Sequence, residues 1–190
     1  MSRMKVLSLM QPWAHLFVNG NKKNETRTWQ TSYRGELYIH ASSKFNFSDL
    51  ELCKQDKHFK KAIPDPSILI TGAIIGKVKL INCLPTTVVK KAITEEEKTF
   101  GDYSPGRFAW MAIEPQQIEP IYFSGSLSIW NFYPVGTEVT FELDGKGKSE
   151  IIEGVIESHT RSSYTVKSFY GHSYSNISSS KIKEREVSHA

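Results

Sequence analysis

Within eight residues the chain gathers Lys22, Glu25, Arg27 and Trp29, beside Gly20, which frees the backbone. Together these types can hold an anionic, ring-bearing ligand such as a nucleotide. Arg27 can fork two donors onto a phosphate, and Lys22 supplies a mobile point charge. Glu25 is placed to orient Arg27, to hydrogen-bond a base edge, or to act as a general base. Trp29 offers a face on which a base can stack, or a core-packing surface. The plain alternative is a solvated lysine and a surface ion pair between Arg27 and Glu25, which is worth little. Tyr33 and Arg34 flank a turn close by and either serve the ligand or simply face solvent.

The elements that must position these residues can be read in order. Gln11 to Gly20 has helical spacing at Trp13, Leu16 and Phe17, with Pro12 in the first turn and Gly20 as a C-terminal cap. From Glu25 to Trp29 the period becomes two, so Glu25, Arg27 and Trp29 share one face and Thr26 and Thr28 the other. A turn over 32–35 leads to a strand over 36–41, with His40 a hydrogen-bonded structural residue by default. Ser48-Asp49-Leu50-Glu51 reads as a capping box opening a lysine-rich helix that ends before Pro64. A β-rich run follows from Ser67 to Leu84, bent at Gly72 and Gly76. Thr94-Glu95-Glu96-Glu97 is a second capping box. Strands are expected over 107–113 and 118–123, then a short segment over 129–132.

Past Pro134 the composition changes. Strands are expected over 135–141, 151–157 and 164–166 and at Ile182, with a turn at Asp144-Gly145 and a loop over 175–180. This stretch, 133–185, resembles a small SH3-like barrel of the Tudor or KOW kind, and 186–190 is expected to be a frayed tail. The expected class is α+β and mainly β: a small β-barrel with peripheral helices over 1–132, then the small all-β barrel.

Bulk properties narrow the function classes. The chain has 190 residues and a net charge of +4. Residues 1–132 hold 17 Lys+Arg against 12 Asp+Glu, whereas 133–190 hold 7 against 8. The excess base thus sits with the N-terminal cluster, where a phosphate footprint would be needed. The slight acidity of the C-terminal stretch favours a protein partner or structural support there. Cys53 and Cys83 have no neighbours at ligand spacing, so no metal and no disulfide framework is expected. No cofactor is expected, nor a membrane span or secretion signal, which points to the cytoplasm.

Gln11-Pro12-Trp13-Ala14, Gly20-x-Lys22-x-x-Glu25-x-Arg27, Tyr33-Arg34-Gly35, Ile39-His40-Ala41 and Gly106-Arg107-Phe108-Ala109-Trp110 occur in that order. Together they resemble the ASCH family of the PUA-like superfamily. The resemblance implies a β-barrel ringed by helices, with a cleft beside the Gly-x-Lys motif. It implies binding of RNA, single-stranded nucleic acid or a modified nucleoside, with Arg107 joining Lys22, Glu25, Arg27, Trp29, Tyr33 and Arg34. It also implies an alternative: hydrolysis of a modified nucleoside such as N4-acetylcytidine, or RNA cleavage, centred on Lys22. Glu25 stands where the amidohydrolase type has its catalytic threonine, and Thr26 lies one residue away.

Overall fold

The computed structural model describes residues 2–145 and 148–185. In chain order the elements are β1 (Met4–Leu9), α1 (Trp13–Val18), β2 (Asn24–Arg27), β3 (Gly35–Ala41), α2 (Phe47–Gln55), α3 (Lys57–Ala62), β4 (Ala73–Pro85), α4 (Thr86–Val89), α5 (Glu95–Thr99), β5 (Phe108–Tyr122) and β6 (Ile129–Phe132). There follow β7 (Glu138–Gly145), β8 (Lys148–His159), β9 (Tyr164–Ser168), β10 (Ser173–Ile177) and β11 (Ile182–Glu184). The chain forms two compact units, Val6–Ile129 and a second comprising Met1–Lys5 with Trp130–Ala190.

In the first unit the strands run in the order β2-β5-β4-β3-β1, as a curled half-barrel sheet. Only β1 and β3 are parallel in this series; the other neighbours are antiparallel. Alternation buries Leu37, Ile39 and Ala41 of β3 with Ile75, Val78 and Leu80 of β4. Phe17 and Val18 of α1 pack on that face. A second cluster joins Leu16 to Cys53, Phe59 and Phe100, so α1 is gripped from both sides.

Helix α1 is shorter than its sequence pattern, ending at Val18 with Asn19 as its C-cap. Gly20 then takes φ +80°, the left-handed conformation that ends helices and favours glycine. The backbone N–H of Lys22 turns back to the carbonyl of Leu16 at 3.0 Å. That closure carries the chain directly from α1 into β2.

Four local expectations are corrected. The capping box at Ser48 is not used: α2 begins at Phe47 after Asn46, without a side-chain cap. The lysine-rich stretch is instead broken at Asp56, whose carboxylate accepts from the N–H groups of His58 and Phe59 and opens α3. The strands over 107–113 and 118–123 are one 15-residue strand, because β5 stays paired with β4 past Glu114 and Pro115 through register shifts. Ser67–Gly72 is not strand; β4 starts at Ala73. At Thr94 the side-chain cap forms but the reciprocal half of the box does not: Thr94 Oγ1 accepts from the N–H of Glu97 at 3.1 Å, and the Glu97 carboxylate bonds elsewhere.

The second unit is a five-stranded antiparallel sheet in the order β10-β9-β8-β7-β11. Four strands form a meander, and β11 returns beside β7 after a single 3₁₀ turn, Ser179–Lys181. Asp144 and Gly145 belong to β7 and pair with Ser149 and Lys148, so they are strand rather than the expected turn. Ser175 to Ile177 form part of β10 rather than a loop, because Tyr174 and Ile177 pair with Val166 and Tyr164 of β9 across an irregularity at Ser175 and Asn176. Its core joins Val139, Phe141, Ile156, Val166 and Tyr164. The expected frayed tail, 186–190, lies outside the described residues. Among the described residues no helix is long and apolar enough to cross a membrane.

A cleft built on strand β2

Strand β2 pairs on one side with β5, setting Glu25 opposite Trp110 and Arg27 opposite Phe108. Two adjoining cavities, of about 370 and 410 Å³, meet there and share Trp13, Glu25, Thr26 and Arg107. The first also reaches Lys22, Gly101 and Asp102. The second reaches Arg27, Thr28, Trp29 and Leu127.

Lys22 is not the mobile surface charge its sequence context suggests. It is 1% exposed. Its Nζ donates to the carbonyl of Phe100 at 2.9 Å and lies 3.4 Å from Glu25 Oε2. A buried ammonium needs such partners, since an unpaired charge in the interior is very costly. Gly101 is what allows the approach: a Cβ there would lie 2.9 Å from Tyr103, 3.2 Å from Thr26 and 3.3 Å from Lys22 Nζ.

Glu25 bridges two cations. Its other oxygen, Oε1, is 3.1 Å from Arg27 Nε. The guanidinium of Arg27 is also fixed by Nη2, which donates to the carbonyl of Ser8 at 2.9 Å. Arg107 is held in the same manner, with Nη2 donating to the carbonyl of Thr26 at 3.2 Å and Nε 3.3 Å from Asp102 Oδ2. Both Nε contacts are charge contacts whose angles do not make hydrogen bonds. Each arginine is about a quarter exposed, and Nη1 of each has no protein partner among the described residues. Two oriented guanidinium groups therefore present a spare edge to one cleft.

The wall opposite charge is aromatic. Trp29 lies two residues beyond β2 and stacks edge-on against the fully buried Trp110, with ring centroids 4.4 Å apart. The indole N–H of Trp110 donates to the carbonyl of Trp29 at 3.2 Å, which fixes the chain where it leaves the strand. Trp13, a core residue by its helical spacing, is half-buried instead. It contacts Phe59 edge-on yet lines both cavities.

Glu97 is the support that sequence reasoning missed. Its carboxylate accepts from the N–H of Lys23 at 2.8 Å, the N–H of Asn24 at 2.9 Å, the Asn24 amide at 3.1 Å and the Tyr103 hydroxyl at 2.9 Å. Burial, with Glu97 beside it, pushes the Tyr103 hydroxyl far above its ordinary pKa, so it stays a donor. The clue in the sequence was the second capping box. In a capping box the glutamate returns to its own helix terminus, whereas here it ties α5 to β2.

Tyr33 and Arg34 do not line the cleft. The Tyr33 hydroxyl donates to the carbonyl of Glu36, and Arg34 donates to the carbonyls of Thr31 and Tyr33 and to Asn82. Thr26, expected on the far face from Glu25, lines both cavities with it and accepts from the N–H of Asp102 at 3.1 Å. The strand alternation is overridden at this end because the Gly101–Asp102 loop closes over the Thr26 side. His40 is buried, with Nε2 2.9 Å from the carbonyl of Phe123. Among the described residues no group of three or more His, Cys, Asp or Glu could hold a metal.

A family model described as ASCH domain matches residues 7–122. Activating signal cointegrator 1 of Mus musculus and of Homo sapiens are each 31% identical to the chain over 129 residues, 65% of this chain and 21% of theirs. The chain thus spans about a fifth of the length of those relatives. Among solved structures, ASCH from Zymomonas mobilis matches with a TM-score of 0.40 at 16% identity, over 63% of this chain and 73% of that one.

Proposed function

Because the chain belongs to the ASCH domain family, we propose that its β2 cleft binds single-stranded nucleic acid, with RNA or a modified nucleotide as the ligand. One observation carries this reading: Arg27 and Arg107 are both locked by backbone carbonyls in a cleft that also exposes Trp13 and Trp29. The spare guanidinium edges take phosphate oxygens, and the tryptophans take base faces. Lys22 and Glu25 act as positioning residues, holding Arg27 and the Gly101 loop at the cleft floor. Quenching of tryptophan fluorescence by an unlabelled RNA 12-mer tests this directly. An emission spectrum unchanged at saturating RNA overturns the stacking role.

A second reading rests on Lys22 and Thr26, which line one cavity. That cavity holds a buried ammonium and a threonine hydroxyl that accepts from the Asp102 N–H, although Glu25 occupies the threonine position of the amidohydrolase type. Hydrolysis would add water to an acyl group on a modified nucleoside and release the carboxylic acid. Chromatography of N4-acetylcytidine and of RNA oligomers incubated with the protein checks it, and intact substrates retire it.

The domain reading is a nucleic-acid module over 1–132 and a small SH3-like barrel over 133–185. The strand order of the second unit and the 3₁₀ turn before β11 support the SH3-like assignment.

A further inference from the structure

The second unit carries a concavity of about 510 Å³ whose charged lining residues are glutamates, whereas the β2 cleft is lined by Lys22, Arg27 and Arg107. Phe169, Tyr170, His172 and Tyr174 line it together with Glu150 and Glu153, and no lysine or arginine lines it among the described residues. Lys181 and Lys183 line a separate cavity that shares only Ile151 with it.

The aromatic edge is displayed by a fixed turn. Between β9 and β10 the N–H of Ser168 donates to the carbonyl of His172 at 2.8 Å, and the N–H of Gly171 to the carbonyl of Ser168 at 2.9 Å. The N–H of His172 reaches Ser168 Oγ at 3.1 Å. At the tip of this turn Tyr170 is 93% exposed, and Phe169 is about half exposed. Phe169, Tyr170 and Tyr174 line one concavity, so these rings form a contiguous patch of the kind that marks interaction surfaces rather than scattered exposed side chains. Tyr174 is anchored from below by Phe141, with ring centroids 5.5 Å apart.

What such a groove prefers is visible at its edge. The guanidinium of Arg185 lies 5.1 Å from the centre of the Phe169 ring, and its Nε is 3.3 Å from Glu153 Oε2. The chain thus already seats one cation on the combination of aromatic face and carboxylate that the groove repeats with Tyr170, Tyr174 and Glu150. A cation over an aromatic ring is favoured by the ring quadrupole, and a nearby carboxylate adds to it.

We infer that the groove between the β9–β10 turn and β8 is a docking site for an arginine-bearing basic peptide segment of a partner protein. With Glu153 already paired to Arg185, Glu150 supplies the negative charge that favours a cation over a phosphate backbone. The inference stands on the second unit alone and does not depend on the nucleic-acid reading.

The test is fluorescence polarisation with the full chain and a labelled nonapeptide holding three arginines spaced by glycine and serine. A twin peptide carries citrulline in place of arginine, which keeps the shape and removes the charge. The expected result is saturable binding of the arginine peptide, weakened about fivefold or more by the citrulline exchange, by Tyr170→Ala and by Glu150→Gln. Both substitutions alter exposed side chains, and circular dichroism confirms their folding. Equal binding of the citrulline peptide overturns the inference, as does binding unaffected by either substitution. Displacement of the peptide by an RNA 12-mer whose own binding falls with Tyr170→Ala also overturns it, because the groove would then be a nucleic-acid surface.

Discussion

Replacing Lys22 by methionine separates a buried structural ammonium from a ligand contact. Methionine keeps most of the apolar stem and removes only the charged tip. The substitution leaves the Phe100 carbonyl without its 2.9 Å donor and removes the 3.4 Å contact to Glu25. At an effective dielectric of about 20, that ion pair alone represents roughly 5 kcal/mol of Coulomb attraction before desolvation is subtracted. Breaking a buried pair typically costs about 3–5 kcal/mol. Glu25 keeps Arg27 at 3.1 Å, so its charge is not orphaned and the lower end applies. The expected loss is about 3 kcal/mol. Urea unfolding followed by tryptophan emission reads the first unit well, since Trp13, Trp29 and Trp110 lie in it. With an unchanged slope of about 2 kcal/mol per molar urea, the midpoint should fall by roughly 1.5 M. A change below about 0.5 kcal/mol, the size expected at an ordinary surface position, would refute the placement of Lys22 in the floor of the cleft. Loss of RNA binding in this variant is expected as well, as a consequence of that collapse.

Other outcomes follow from the same geometry. Glu97→Gln should destabilise the first unit by about 2 kcal/mol, because an amide cannot accept from both the Lys23 and Asn24 sides and leaves a buried donor unpaired; Thr94→Ala, which removes only the α5 cap, should cost about 1 kcal/mol, and thermal unfolding compares the two. Burial holds the pKa values of His40 and His15 below the ordinary imidazole value. Their contribution is therefore complete above the unfolded value of 6.5 and is lost as pH falls through the depressed folded values. Stability should drop between pH 7 and pH 5, and urea midpoints for His40→Gln should show a shallower pH dependence than wild type.

Much of this fold can be read locally. The helix, the two-residue period of β2 and the five-strand set of the second unit depend on neighbours close in sequence, as does the Thr94 cap. The burial of Lys22 depends on Phe100 and Gly101, some eighty residues away, and a lysine beside a glycine carries no local mark of that. Glu97 misleads for the opposite reason. Its capping-box position has a sufficient local explanation, which hides its four bonds to β2 and Tyr103. The break at Asp56 was concealed by continuous lysine content on either side. At Glu114-Pro115 sequence punctuation was overruled because β4 bulges in step with β5. Of the residues expected at the site, Lys22, Glu25, Arg27, Trp29 and Arg107 come together, while Tyr33 and Arg34 are absorbed by their own turn.

The most direct test is the salt dependence of affinity for a labelled single-stranded RNA 12-mer, measured by anisotropy for wild type and for Arg27→Gln/Arg107→Gln. Two phosphate contacts account for a slope of about −1.4 in log K against log salt concentration on a single strand. Binding that weakens with salt, and a double variant that binds at least tenfold less tightly with a slope shallower by about that amount, is the predicted result. Equal affinity and equal slope for both proteins would show that the β2 cleft is not where the strand lies.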